Sequence, residues 1–276
     1  MLILSDKHIK QFAFFYLFCF VINYLWFLTN GLLFASVQSV FFINKLDITS
    51  NIVMLSNIQN LLVKSDVARW IFDIIYVILP ILLVLFTVKD FNGKKILAIS
   101  TAVFSLLYGV FFSSISYISM EGYIGWILIP LIFSASNAKD FYYKLHVVRL
   151  IFILVFFSSA LWKMRAGGLF NIEEMAGILL QQHNAYLTSS KGDWFTDLIY
   201  YLVKNKTIAY CLYLFAAIGE LLFAVGLFTR KLDKYLIVVF CLFIIADFFL
   251  MRINYFGWIA FMGCFYFSKF SLQNDK

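Results

Sequence analysis

Charged residues and proline are scarce in this sequence. Asp, Glu, Lys and Arg make up 13% of its 276 residues, and proline occurs twice. A soluble domain has about 25% charged residues, so this chain lacks the polar side chains that would cover a water-soluble globule. The small amounts of proline and glycine also exclude collagen-like chains and proline-rich disordered chains.

Several functional motifs are missing as well. The four cysteines stand singly in apolar runs and form no Cys-x-x-Cys pair, so we expect buried thiols and no thiol–disulfide relay. The three histidines do not have the spacing of metal ligands, and no metal site is predicted. The sequence contains no glycine-rich phosphate loop and no Gly-x-Ser-x-Gly turn.

Long apolar runs dominate what is present, since hydrophobic residues make up 63% of the chain. A membrane span needs about 20 mostly apolar residues. The fold class predicted is an all-α, polytopic integral membrane protein with about eight spans, or seven if one short segment is re-entrant. The predicted spans are about 11–34, 68–88, 96–118, 121–135, 147–164 and 207–228, followed by 235–268 as two short spans that break near Arg252.

The basic residues predict how the chain is oriented. The net charge is +7, and with both termini in the cytoplasm most basic residues fall in the inner loops or in two long outer segments. We therefore expect a multi-pass protein of the bacterial inner membrane, in contact with lipid and without a nucleic-acid partner. The chain 1–276 is predicted as one domain, with outer segments at about 35–67 and 165–206. Within the second segment, 171–183 begins with Asn171 as a capping residue and predicts an outer amphipathic helix.

Several ionisable residues fall inside predicted spans. Counting the rise along each helix places Glu220, Asp247, Asp73 and Lys163 between the middle of the bilayer and its outer leaflet. Charges inside a membrane normally face a protein interior or a wet cavity, so this distribution predicts one polar cavity that opens to the outside.

Each of these residues also has a structural explanation. Arg69 and Asp73 are four residues apart, a spacing that predicts a local ion pair. Asp247 is placed to pair with Arg252, and Lys163 lies close enough to the interface to extend toward water. Glu220 is deep and has no basic residue nearby in the sequence. It is therefore either protonated or paired with a base from another helix.

The stretch Phe156–Met164 resembles the HTTM family, the membrane domain shared by the vitamin K-dependent gamma-carboxylase and many bacterial relatives. The family pattern is an aromatic-rich span, a pair of small residues, two variable residues, and a lysine before an aliphatic residue. An outer amphipathic helix follows. Ser159-Ala160 matches the small pair, Lys163 matches the lysine, and 172–183 matches the helix. The resemblance extends over roughly 147–262, through the acidic span at Ile218–Leu222 and the segment Asn254–Gly257.

The resemblance implies a site that acts on a reduced quinone or another lipophilic substrate. Lys163 would be the catalytic base, and Glu220 and Asp247 would tune it or relay protons. The candidate quinone-binding residues are Arg252, His183 and Trp162, and the segment 171–195 would cover the site. A carboxylase has a large soluble domain after its membrane domain, and the six residues after Phe270 leave no room for one, so glutamate carboxylation is not expected.

Three functions stay open at this stage. The resemblance favours a quinone-linked membrane enzyme in peptide or protein maturation, with a secreted peptide or protein as substrate. The second is a non-catalytic accessory subunit of an export or maturation complex, with other membrane subunits as partners. The third is a small membrane redox protein of the DoxX type.

Overall fold

A computed structural model describes residues 2–37, 48–116, 120–190 and 192–269. Over these residues every regular element is a helix. Five helices are long and apolar enough to cross a membrane, judged by length and composition. The all-α class is confirmed, and the count of eight spans stays a prediction. The α-helices in chain order are α1 (Leu2–Thr29), α2 (Ile48–Ser56), α3 (Ile58–Lys64), α4 (Asp66–Val88), α5 (Lys94–Ser116), α6 (Ile124–Ile132), α7 (Ala138–Arg165), α8 (Glu174–Ser189), α9 (Trp194–Lys204), α10 (Lys206–Leu222), α11 (Val225–Phe228), α12 (Asp233–Leu250) and α13 (Phe261–Ser268).

The chain divides into two compact units. The first unit comprises Met1–Val148 and Tyr255–Lys276, and the second comprises Arg149–Asn254. Helix α7 begins in the first unit and ends in the second. The single domain expected over 1–276 stays a prediction.

In the first unit, α4 packs against α1 and α5, and α5 packs against α6. Helix α4 begins behind Ser65, whose hydroxyl oxygen accepts a hydrogen bond from the Ala68 backbone N–H at 3.2 Å. The buried residues of α4 recur every three or four positions, so one face of the helix forms part of the core. Those residues are Asp73, Tyr76, Pro80, Leu83, Val84 and Thr87.

Glycine allows two backbones of the first unit to approach closely. A Cβ atom on Gly257 would lie 2.5 Å from the Gly122 carbonyl oxygen and 2.8 Å from the Trp126 indole nitrogen. Any larger residue would push these segments apart, because real Cβ atoms essentially never come so close. Gly257 therefore keeps the segment before α13 against the start of α6.

The second unit has an aromatic core between α7, α10 and α12. Phe156 packs against Phe223 and Phe240 with ring centroids 4.8 and 5.2 Å apart, and Phe152 packs on Phe240 at 5.0 Å. A separate apolar cluster holds α8, α9 and α10 together around Leu179, which is completely buried. Each ring pair of the aromatic core contributes about 0.5–1.5 kcal/mol to stability beyond the burial of its surface.

The last apolar tract of the chain is interrupted where the sequence predicts a break. Helix α12 ends at Leu250, Arg252 has a φ of +55°, and the next helical turn begins at Phe256. A left-handed conformation at a residue other than glycine ends a helix sharply. Arg252 is therefore at the turning point of the chain.

The predicted amphipathic helix is present with shifted bounds. Asn171 accepts a hydrogen bond from the Glu173 backbone N–H at 3.0 Å, and helix α8 starts at Glu174 and continues to Ser189. The predicted segment 35–67 holds α2 and α3, while its residues 38–47 lie outside the described ones. The side of the membrane on which either segment lies stays a prediction.

Candidate functional site

Lys163 and Glu220 form an ion pair between two helices of the second unit. Lys163 is in the last turn of α7, Glu220 is near the end of α10, and the Lys163 Nζ lies 2.5 Å from the Glu220 Oε1. The Lys163 side chain is 25% exposed and that of Glu220 is 3% exposed. Of the two alternatives left open for Glu220, the structure thus provides a partner from another helix.

The two oxygens of Glu220 have different surroundings. Oε1 accepts hydrogen bonds from Lys163 and also from the Ser159 hydroxyl at 3.3 Å. Ser159 lies one turn before Lys163 on α7, so both donors come from the same helix face. Oε2 is buried and has no hydrogen-bond partner among the residues that the structure describes. One oxygen of the carboxylate is therefore without a donor from the described residues.

Tyr213 forms another side of the same site. It lies seven residues before Glu220 on the same helix face, and its ring centroid is 5.9 Å from the Lys163 Nζ. A Cβ atom on Gly168 would lie 2.6 Å from the Tyr213 hydroxyl, so a larger residue at this position would displace the Tyr213 side chain. The preceding Gly167 has a φ of +81°, which glycine adopts without strain. The Gly167-Gly168 pair thus ends α7 and makes room for Tyr213.

Asp247 of α12 is the third acidic residue near this pair. It is half-buried and lies close enough to Lys163 and Glu220 to interact electrostatically with both. Over the described part of the chain its carboxylate has no hydrogen bond and no salt bridge. The predicted Asp247–Arg252 ion pair is wrong, because the chain leaves the helix after Leu250 and takes Arg252 elsewhere.

Arg252 and His183 attach the α8–α9 hairpin to the end of α12. The Arg252 guanidinium carbon lies 4.2 Å from the centroid of the Phe195 ring and 5.0 Å from that of Tyr186. The His183 Nε2 donates a hydrogen bond to the Leu250 carbonyl oxygen at 2.8 Å. A carbonyl oxygen only accepts, so the imidazole hydrogen is on Nε2. Both residues bind the protein itself in this structure.

Trp162 stands apart from the other candidates. It is 64% exposed, and its ring lies 5.3 Å from the guanidinium carbon of Arg165. Adjacent residues on a helix point about 100° apart, so Trp162 and Lys163 occupy different faces of α7. The structure therefore brings Lys163, Glu220 and Asp247 together, and it places Trp162 on the protein surface.

The α8–α9 hairpin carries its own electrostatic contacts. The Tyr186 hydroxyl donates to Asp193 Oδ2 at 2.5 Å, and this hydrogen bond raises the pKa of Tyr186. Asp193 also caps α9 by accepting from the Phe195 backbone N–H at 3.3 Å. The exposed Lys206 ammonium donates to Glu173 and lowers the pKa of that carboxyl. These contacts hold the two ends of the hairpin.

Asp73 belongs to the first unit and has different partners from those predicted. Arg69 pairs with Asp66, three residues before it, so the predicted Arg69–Asp73 ion pair is wrong. Asp73 accepts instead from the backbone N–H groups of Phe34 and Ala35 at 3.1 and 2.9 Å, and from the Tyr108 hydroxyl at 2.6 Å. Both of its oxygens are thereby satisfied without a cation.

Two features of the second unit are not predicted from the sequence. Tyr213 has a signal in the sequence, since a seven-residue spacing puts it on the face of α10 that carries Glu220. Arg149 and Asp233 form a buried ion pair 84 positions apart, with Nε–Oδ2 and Nη2–Oδ1 distances of 2.8 and 2.5 Å. No local pattern predicts a partner so far along the chain.

The acidic, histidine and cysteine side chains of the described residues do not gather into a metal-binding group or a disulfide. Within 2–37, 48–116, 120–190 and 192–269, no group of three or more His, Cys, Asp and Glu residues is placed to hold a metal ion. All four cysteines are free thiols. Cys19 and Cys264 are buried as expected, whereas Cys211 and Cys241 are exposed, so the expectation of burial is wrong for these two.

Comparison with known proteins provides no relative. No family model, no curated protein and no solved structure matches the chain.

Proposed function

We propose that this chain is an HTTM-type membrane protein whose Lys163–Glu220 pair moves a proton for a lipophilic substrate with a hydroxyl group. The observation that carries the proposal is the buried Glu220 Oε2, which has no donor from the described protein. A buried acceptor without a partner costs about 1–3 kcal/mol, and a substrate hydroxyl would remove this cost. A reduced quinone, the substrate class implied by the family resemblance, has such a hydroxyl.

The geometry favours a division of labour within the pair. Glu220 accepts the substrate proton on Oε2, so that an O–H bond of the substrate breaks and an O–H bond on Glu220 forms. The Lys163 ammonium, 2.5 Å from Oε1, then faces the negative charge left on the substrate oxygen. Loss of this proton makes the aromatic ring of a reduced quinone electron-rich. In the family pattern the lysine itself is the base; in this proposal Glu220 takes the proton and the Lys163 ammonium stabilises the charge that remains.

Asp247 completes this proposal as the next proton acceptor. It interacts electrostatically with both members of the pair and is half-buried. Since its carboxylate has no hydrogen-bond partner over the described residues, it is free to take a proton from Glu220. The α8–α9 hairpin, attached through His183 and Arg252 to the end of α12, covers the site in this proposal.

The membrane setting of the proposal follows the sequence. The chain crosses a bacterial inner membrane about eight times, with both termini in the cytoplasm and the site open to the outside. The reaction belongs to peptide or protein maturation, with a secreted peptide or protein as the second substrate. These assignments depend on the charge distribution and on the family resemblance.

A binding experiment with purified protein in detergent tests the proposal. The probe is menadiol, the reduced form of a small naphthoquinone, kept under anaerobic conditions and followed by quenching of tryptophan fluorescence. Glu220→Gln places an amide where the free oxygen was, and we expect it to weaken binding about tenfold, which is 1.4 kcal/mol. Lys163→Met should weaken binding of the ionised probe at high pH by a similar factor.

Lys206→Met is the matched control for both variants. It removes a lysine of the same unit from an exposed pair with Glu173, and we expect its affinity to stay within twofold of the parent. Unchanged affinity in Glu220→Gln and Lys163→Met would contradict the proposal. That result, with the protein still folded, would favour the accessory-subunit alternative.

A further inference from the structure

Helix α9 has large apolar side chains on two sides. One side is buried in the apolar cluster of the second unit and consists of Phe195, Ile199 and Leu202, each at most 4% exposed. The other side, which we call the outer face of α9, consists of Trp194, Leu198 and Tyr201, which are 65%, 37% and 55% exposed. Positions i, i+4 and i+7 fall within about 60° of one another around a helix. The outer face is therefore one narrow apolar stripe on the surface of the unit.

Polar side chains border the outer face along one edge. Asp197, Tyr200 and Lys204 are all exposed, and helical spacing puts them within the next about 100° around α9. A helix that lies in a membrane interface has this division, with its apolar stripe toward the acyl chains and its charged side toward the headgroups. Trp and Tyr are also the residues enriched at that level of a membrane. The composition of α9 thus fits the interface between lipid and water.

The exposed side of α8 has a different character. Most of its residues carry amides or hydroxyls, namely Gln181, Gln182, Asn184, Thr188 and Ser189. Leu180, at 40%, is the single large apolar side chain exposed on this helix. Amides and hydroxyls find no hydrogen-bond partner among acyl chains, so this side belongs in water. The two helices of the hairpin therefore suit two different surroundings.

The outer face of α9 adjoins a helix that can span the membrane. Asn205 caps the end of α9 and the start of α10, and Lys206–Phe228 is long and apolar enough to cross a bilayer. The large apolar side chains exposed on one face of α10 are Ile208, Leu212, Phe215, Ile218 and Leu222. A lysine stands on each side of Asn205, as is typical of the level where a span enters the headgroups. The outer face of α9 is therefore continuous along the chain with a lipid-facing surface.

The outer face is small for a protein interface. An aromatic side chain has about 150–250 Å² of surface, and these three side chains are partly covered, so the face offers on the order of 300 Å². A stable interface buries about 800 Å² on each partner. Fluid lipid needs no such minimum area, because it covers every apolar side chain that reaches it. Lipid is the occupant that fits the size of this face.

We propose that the outer face of α9 anchors the α8–α9 hairpin in the headgroup region of the lipid bilayer, with α8 on the water side. Trp194 and Tyr201 place their rings among the upper acyl chains and hold their N–H and O–H groups at lipid oxygens. The Lys204 ammonium binds lipid phosphates at the edge of the face. This proposal rests on the membrane setting proposed above and not on chemistry at the Lys163–Glu220 pair.

Collisions of a nitroxide label with oxygen and with a water-soluble nickel complex test the proposal in vesicles of phosphatidylcholine and phosphatidylglycerol. Oxygen concentrates among acyl chains and the nickel complex in water, so the ratio of the two collision rates reports where the label lies. The full chain carries Cys211→Ser and Cys241→Ser, which removes its exposed thiols and leaves two buried ones. Single labels are then attached through Leu198→Cys in the outer face and Asp197→Cys in its polar edge.

We expect the oxygen-to-nickel ratio to be about fivefold higher at position 198 than at position 197, because an interfacial helix buries its apolar face about 5–10 Å below the headgroups. Tyr201→Cys should behave like Leu198→Cys. Gln181→Cys, on the exposed side of α8, should behave like Asp197→Cys. All four positions are exposed, so none of these substitutions removes a buried contact.

Phe215→Cys is the reference for a side chain in the bilayer, because Phe215 is 74% exposed in the middle of a candidate span. A high ratio at Phe215 with equally low ratios at positions 197 and 198 would overturn the proposal and leave α9 in water. A low ratio at Phe215 as well would contradict the membrane setting, and the anchor with it. Dipolar broadening of the spectrum at position 198 would reveal a second copy of the chain on the outer face, which would also overturn the proposal.

Discussion

Two basic residues on one face of helix α7, Arg149 and Lys163, form ion pairs of different kinds. Arg149 and Lys163 are fourteen residues apart, close to four helical turns, so both project from the same face. Arg149 binds Asp233 through two nitrogens and both carboxylate oxygens, and its side chain is completely buried. Lys163 binds one oxygen of Glu220 and is 25% exposed. We call Arg149–Asp233 the closed pair, because the arginine binds both carboxylate oxygens. We call Lys163–Glu220 the open pair, because the lysine binds only one.

The closed pair also satisfies backbone groups. The Arg149 Nη2 donates to the Gly226 carbonyl at 2.9 Å and to the Thr229 carbonyl at 3.3 Å, where the short helix α11 ends. Helix ends leave carbonyl oxygens without partners, and a buried arginine satisfies them. The residues of this pair are therefore committed to holding α7, α11 and α12 together.

The open pair leaves one carboxylate oxygen without a protein donor among the described residues. Lysine has a single ammonium that fits one oxygen, so Glu220 retains Oε2 for another donor, and Asp247 lies nearby without a partner in the described chain. The comparison teaches that burial and pairing do not by themselves identify a functional carboxylate. The number of acceptor sites left unfilled separates Glu220 from Asp233.

The largest effect is expected when the closed pair is broken. Arg149→Met leaves the buried Asp233 carboxylate and two carbonyl oxygens without their donor, and we expect it to lower the free energy of unfolding by about 3–5 kcal/mol. Denaturant titration in detergent, followed by circular dichroism, measures this. Lys144→Met on the same helix is the control, since the Lys144–Asp140 pair is partly exposed and should contribute less than about 1 kcal/mol. Equal stability of the two variants would contradict the distinction between the pairs.

The sequence predicts the elements of this fold better than it predicts the ion pairs. Run length and hydropathy locate the helices, and the charged and polar residues near Arg252 locate the break after α12, because these signals are local. The local spacing rule failed for Arg69, because Asp66 is one residue nearer in sequence than Asp73 and pairs with the arginine. It failed for Asp247 because the backbone turns at Arg252 before the helix can bring the two together.

The candidate site shows the same limit. The sequence identifies Lys163 and Glu220 as charged residues inside apolar spans. This is visible from the neighbouring residues of each one separately. Their pairing across 57 positions, the free Oε2 and the position of Tyr213 depend on how α7 and α10 pack. The Arg149–Asp233 pair, 84 positions apart, has no local signal at all.

A smaller effect is expected when the open pair is broken. Lys163→Met removes the partner of Glu220, but Glu220 can become neutral by binding a proton, so we expect a loss of about 1–3 kcal/mol. The double variant Lys163→Met/Glu220→Met should recover most of this loss, because the uncompensated buried charge is gone. The same denaturant titration checks both. A double variant no more stable than Lys163→Met would show that Glu220 is held by contacts other than the lysine.

The smallest effect on stability concerns Ser159. Its hydroxyl donates to Glu220 Oε1 at 3.3 Å, a long hydrogen bond, so Ser159→Ala should cost about 0.5–1 kcal/mol. Ser158→Ala is the matched neighbour, since the exposed Ser158 hydroxyl donates to the Val155 carbonyl of its own helix and touches no carboxylate. Both variants should unfold within about 1 kcal/mol of the parent.

Binding of menadiol separates the two serines where stability does not. Without Ser159, Lys163 alone holds the Glu220 carboxylate, which is then free to rotate and to present either oxygen to the substrate. We therefore expect Ser159→Ala to weaken menadiol binding by about twofold to fivefold and Ser158→Ala to leave it unchanged. A hydrogen bond that orients a catalytic group affects binding geometry more than folding. Identical affinities in the two variants would mean that Lys163 by itself fixes the orientation of the carboxylate, and the open pair would then be more rigid than its single contact indicates.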